Sequence, residues 1–130
     1  MKFYNSDVLQ KEKNSYYPHE INVTDIYSLK RAVSKDYVCA KYQNFHRSNN
    51  DFITADCLAL DCDNTHTEDE SKWVNVDSIK EMLPGVSFCV HYSRNNMKEK
   101  NGKKARPKFH IFFPIEPINS YEEYRNLKEK

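Results

Sequence analysis

The chain has 130 residues, with 20 lysines and arginines against 19 aspartates and glutamates, a net charge of +1 and 38% hydrophobic residues. That length is one domain's worth, since domains commonly run to about 100 to 150 residues, so a single domain over residues 1–130 is expected. The balanced charge gives no global polyanion signal, no apolar run approaches membrane-spanning length, and "MKFYNSDVLQ" turns polar too soon for a secretory leader, so a cytoplasmic protein is expected.

After a polar lead rich in tyrosine and lysine, Thr24 reads as an N-cap, and Ile26, Leu29 and Val33 recur at helical spacing. This predicts a helix over 25–34. "DYVCAKY" reads as a strand that ends in the polar loop "QNFHRSNND", and "CLALDCD" as a second strand. In "NVDSIKEMLPG", Val76, Ile79 and Leu83 form one stripe, with Asn75 or Asp77 as cap and Pro84-Gly85 as stop. "VSFCVHYS" and "KFHIFF" are the third and fourth strands, and the basic loop between them carries the turn dipeptide Asn101-Gly102. A long-looped antiparallel hairpin is expected there. Ser120-x-x-Glu123 opens a final helix, "SYEEYRNLKEK", which has no stop signal and therefore suggests an artificial boundary. The order of elements predicts an α+β fold, a mainly antiparallel sheet carrying helices on one face.

Charge is unevenly placed. From Asp61 to Glu81 acids dominate, and from Arg94 to Lys108 the sign reverses, with Arg94, Lys98, Lys100, Lys103, Lys104, Arg106 and Lys108 facing only Glu99. Two such neighbourhoods suit a metal site beside a phosphate site, and they also suit two solvated loops. The four cysteines, Cys39, Cys57, Cys62 and Cys89, form no C-x-x-C pair and read as buried free thiols. Cys57, Cys62 and His66 make a poor zinc set, because strand residues five apart point to opposite faces.

Strand periodicity assigns faces. In "CLALDCD", Leu58, Leu60 and Cys62 share the face expected to seek a core, while Cys57, Ala59, Asp61 and Asp63 share the other. His91 and Ser93 lie on one face of the third strand, and Lys108 and His110 on one face of the fourth. Where these faces coincide, Asp61, Asp63, His91, Ser93, Lys108 and His110 make a catalytic surface. Two carboxylates about 6 to 7 Å apart along a strand can bridge hard divalent cations such as Mg²⁺ or Mn²⁺, although aspartates at strand ends are also ordinary turn residues. Arg94 and Arg106, at the two ends of the basic loop, are each capable of bidentate contact with phosphate.

Taken locally, "DCDNT" resembles the D-x-D-x-T pattern of the haloacid dehalogenase superfamily, whose first aspartate is a nucleophile and second an acid/base. A metal-dependent phosphatase is one alternative on that basis, and a catalytically inert nucleic-acid-binding module is another. Over most of its length, at "DCLALDCDN", at "VHYSRNNMKEKNGKKARPKFHIFFPI" and in the helix that follows, the chain resembles the archaeo-eukaryotic primase superfamily, in the primase-polymerase branch of phages and mobile elements. The family's D-x-D motif falls on Asp61 and Asp63, which the resemblance makes metal ligands. Its small-x-His motif falls on Lys108-Phe109-His110, with lysine where serine is usual, and implies that His110 contacts the nucleotide's phosphates. Ser93, Arg94, Arg106 and Lys108 are the further candidates for nucleotide binding.

The resemblance implies an RRM-like core and a DNA primase/polymerase-type nucleotidyltransferase that uses Mg²⁺ or Mn²⁺, nucleoside triphosphates and a single-stranded DNA template. The family's third acidic motif follows the next helix and is not among these 130 residues. The expectation is the N-terminal part of a catalytic domain, inactive alone, whose partners are the remaining C-terminal segment of that domain and, as a further candidate, a helicase.

Overall fold

The computed structural model describes residues 1–11, 13–99 and 102–128. The fold is α+β, with antiparallel pairing in both of its sheets. By contact the chain divides into two units, Met1–Leu58 with Pro114–Lys130, and Ala59–Phe113.

In the first unit, β1 (Lys2–Asn5) lies between β2 (His19–Asn22) and β3 (Tyr37–Val38). This sheet is built largely from the tyrosine- and lysine-rich polar lead, for which the sequence predicts no element. The strands are only four and two residues long, and β1 buries Phe3, Tyr4 and Asn5 in succession while β2 buries Ile21 alone, so they leave little apolar pattern to read. Helix α1 (Ile26–Val33) forms as predicted, but its N-cap is Asp25 and not Thr24. The Asp25 carboxylate accepts from the Ser28 amide at 2.8 Å and the Ser28 hydroxyl oxygen accepts from the Asp25 amide at 3.1 Å, a reciprocal box that satisfies two donors. Leu29 and Ala32 are the helix's buried face, and the Asn5 side chain donates to the Arg31 and Ala32 carbonyls near its end.

The run "DYVCAKY" is not one strand. Tyr37–Val38 pairs with β1, whereas β4 (Lys41–Tyr42) pairs with β5 (Phe52–Cys62) in a second sheet, of order β4-β5-β7-β6. Strand β5 starts at Phe52, five residues before the predicted "CLALDCD". Near it, Tyr124 of α3 (Tyr121–Lys128) packs with Ala40 and Ala55, and its hydroxyl donates to the Cys57 carbonyl at 2.7 Å. The face assignment along β5 needs correction for this reason. Ala55 and Cys57, on the Asp61 face, are buried, while Leu58, Leu60 and Cys62 are only half-buried. A period of two says which residues share a face, but not which face another element covers.

In the second unit, α2 (Val76–Met82) is capped by Asn75 through a reciprocal box with Ser78, and the chain turns at Gly85, whose φ of +80° suits glycine. Strand β6 (Cys89–Tyr92) is shorter than "VSFCVHYS", and β7 (Phe109–Ile118) is longer than "KFHIFF". They pair as the expected antiparallel hairpin. Lys100 and Asn101 of its basic loop, and the last two residues after α3, lie outside the described residues. No described helix is long and apolar enough to cross a membrane.

Candidate active site

Everything in this site belongs to the unit Ala59–Phe113. The β6–β7 register sets Cys89 opposite Phe112 and His91 opposite His110. Directly opposed residues share a face, and the two imidazoles accordingly stack, with centroids 6.2 Å apart and planes 26° from parallel. His110 also lies nearly parallel to the buried Phe112 ring, at 6.4 Å and 8°. From β5, the Asp61 carboxylate brings Oδ1 to 4.0 Å from His110 Nε2, and Asp63, just past the strand's end at Cys62, is near enough for its charge to act on Asp61. Asp61, Asp63, His91 and His110 therefore gather as the strand periodicity anticipates.

The electrostatics follow from that crowding. Burial pushes the Asp61 carboxyl above its ordinary pKa, and the adjacent Asp63 charge pushes the same way, against the pull of His110 and Lys108. Burial, and next the neighbouring His110, hold His91 below the usual histidine value. Two exposed carboxylates crowded at one strand end repel each other, a repulsion that a hard cation relieves.

Arg106 is a correction. It is 1% exposed, and all five of its N–H donors are taken. Nε donates to the Lys104 carbonyl at 3.1 Å, and Nη1 donates to the Asn64 and Thr67 carbonyls at 2.8 and 3.3 Å. Nη2 donates to both Glu68 carboxylate oxygens at 2.9 Å, and the guanidinium sits 4.9 Å over the Trp73 ring. A guanidinium so saturated has no donor left for phosphate. Its hydrogen bond, and next the burial that partly opposes it and the Arg106 charge, leave the Glu68 carboxyl below its usual pKa.

Ser93 is a second correction, because its hydroxyl donates to the Lys108 carbonyl at 3.1 Å and so closes the hairpin. Its remaining lone pairs do not suit an anion. Arg94 is exposed at the start of the turn, and Lys108 is half-buried with its amide held by Asn96 Oδ1 at 2.9 Å. These two remain the placed candidates for phosphate.

Sequence reasoning missed Asn64, Glu68 and Trp73. Asn64 is 4% exposed at φ +55°; its amide nitrogen donates to the carbonyls of Val74 and Pro107, both at 2.8 Å, and its Oδ1 accepts from the Val74 amide at 2.7 Å. The sequence signal is only that an asparagine after a strand-end aspartate is good turn chemistry, which says nothing of a partner 43 residues away.

The donor set fits one kind of metal. Among the described residues no group of three or more His, Cys, Asp and Glu side chains is placed to hold an ion, so a closed protein cage is not built here. Mg²⁺ is commonly held by one or two carboxylates, with water and substrate phosphates completing the shell, and Asp61 with Asp63 meet that requirement. No protein-family model, curated protein or solved structure matches this chain.

Proposed function

We propose that the chain carries the metal- and nucleotide-binding part of a DNA primase/polymerase-type nucleotidyltransferase, acting with Mg²⁺ or Mn²⁺ on nucleoside triphosphates at a single-stranded DNA template. The observation that supports this reading is the meeting of Asp61, Asp63 and His110 at adjacent strands, with 4.0 Å between Asp61 and His110. These are the residues on which the two family motifs fall.

Asp61 and Asp63 would hold the divalent ion, which when bound supplies a more acidic 3′-hydroxyl nucleophile and charge stabilisation for the leaving pyrophosphate. His110 stands 4.0 Å from the Asp61 carboxylate, where its imidazole would be available to donate to a phosphate of the bound nucleotide. Lys108, two residues earlier, adds positive charge that Asp61 already feels. Arg94 is free of the hairpin core and can follow a triphosphate outward. His91, held neutral by burial, supports the His110 ring without adding charge to it.

The test is Mn²⁺ titration by electron paramagnetic resonance with and without a deoxynucleoside triphosphate. Wild-type chain is expected to bind both, with nucleotide affinity in the micromolar to millimolar range, about −8 to −4 kcal/mol. Asp61→Asn and Asp63→Asn should each abolish binding, so that the spectrum of the free ion persists undiminished. Nucleotide binding that ignores both metal and these substitutions would favour an inert nucleic-acid-binding module. Asp61-dependent hydrolysis of a small phosphomonoester would favour the phosphatase.

A further inference from the structure

Two stretches far apart in sequence carry the candidate chemistry, Asp61–Asp63 and Lys108–His110, and the residues that tie them together are neither of these. Asn64 follows Asp63 directly, and its side chain donates to the carbonyl of Pro107, which directly precedes Lys108. One residue earlier, Arg106 donates to the Asn64 carbonyl. Both bonds are 2.8 Å long and both residues are almost fully buried. The same two side chains then close the intervening loop, Asn64 on Val74 and Arg106 on Thr67, Glu68 and Trp73.

From this geometry we infer that Asn64 and Arg106 are positioning residues, a buried clip that sets the spacing between the aspartate pair and His110 and thereby the metal affinity of the site. The functional half of this inference rests on the reading of Asp61 and Asp63 as metal ligands. The clip itself rests only on the hydrogen bonds. Its logic is that of outer partners around a metal site. Buried polar groups with every bond satisfied hold one arrangement, and removing one leaves its partners unpaired, so the spacing relaxes. Backbone conformation makes Asn64 the more telling member. At φ +55° a glycine keeps the turn at no steric cost, so Asn64→Gly removes three side-chain bonds without imposing strain. Arg106→Lys keeps the charge but presents one compact ammonium in place of a five-donor fork.

The experiment compares wild type, Asn64→Gly, Arg106→Lys and a control, Tyr124→Phe, which removes a buried hydrogen bond in the other unit. Each variant is kept well below its unfolding midpoint and shown to be folded by its amide spectrum. Two readouts are taken. The first is Mn²⁺ affinity without nucleotide, expected to fall about 10- to 100-fold in both clip variants and to stay unchanged in the control. The second needs no metal, namely the nuclear Overhauser contact between the His110 ring and the Asp61 methylene protons, expected to weaken in the clip variants alone. Folded Asn64→Gly and Arg106→Lys proteins that keep both the contact and the affinity overturn the clip. A wild-type chain that binds no Mn²⁺ overturns the metal reading, and the Overhauser contact then decides the clip on its own.

Discussion

His91 and His110 occupy directly opposed positions of β6 and β7, with ring centroids 6.2 Å apart. Burial and the neighbouring ring favour the neutral form of His91, so its folded pKa lies below its unfolded one. Above about pH 6.5 His91 is neutral in both states. As pH falls from there through the folded value, the unfolded chain takes the proton first, and stability is lost. Urea midpoints across this range should therefore decline toward acid, and His91→Gln should flatten the slope. A wild-type slope identical to the variant's would refute this account.

Asp61 has the opposite sign. Its folded pKa is raised by burial and by Asp63, so the ionised carboxylate is less welcome in the folded state than in the unfolded chain. Stability from this group is present below its unfolded pKa and is lost as pH rises through the folded value. At neutral pH, Asp61→Asn should leave the unfolding free energy unchanged within about 0.5 kcal/mol or raise it, because the group is largely exposed. The same substitution should abolish Mn²⁺ binding. A stability loss well beyond that range would mark Asp61 as a structural residue.

Arg106→Ala should be a stability variant. It strips donors from the carbonyls of Asn64, Thr67 and Lys104, and the cation from Trp73, around a guanidinium that is itself almost fully buried. A loss of about 3 kcal/mol is expected from orphaned buried acceptors and the cavity together. Chemical denaturation measures it. A loss below about 0.5 kcal/mol, the range of ordinary surface changes, would mean that the guanidinium is not held as described.

With Arg106 sequestered, Lys108 and Arg94 are the cationic side chains left to join His110 in phosphate recognition. Nucleotide affinity should weaken with ionic strength, since exposed charges are screened over about 10 Å at 0.1 M salt. Lys108→Ala and Arg94→Ala should each weaken nucleotide binding several-fold and leave the unfolding midpoint near wild type. Isothermal titration in two salt concentrations tests both statements, and salt-independent binding by the wild type would rule out the electrostatic grip.

Local chemistry made much of this legible from sequence. The β-like run before Asp61 and Asp63, the strands within "FCVHYS" and "KFHIFF", and the helix marked by Ile26, Leu29 and Val33 depend on neighbours a few residues away, and the structure has each element, although Ile26 and Tyr92 are exposed and Phe112 is buried beside His110. What only the tertiary structure decided is which partner each side chain finds across long separations. Nothing in "NGKKARPKF" distinguishes Arg106 from Lys103 or Lys104. Its burial comes from an acid and an indole, Glu68 and Trp73, more than thirty residues earlier, which fold back to meet its planar five-donor fork. Likewise Ala55 and Asp61 share a strand face, but one is enclosed and the other open, because Tyr124 packs against the first and no period along β5 encodes where α3 comes to rest. Periodicity is a property of the backbone, whereas burial and charge pairing are properties of whatever the rest of the chain brings alongside.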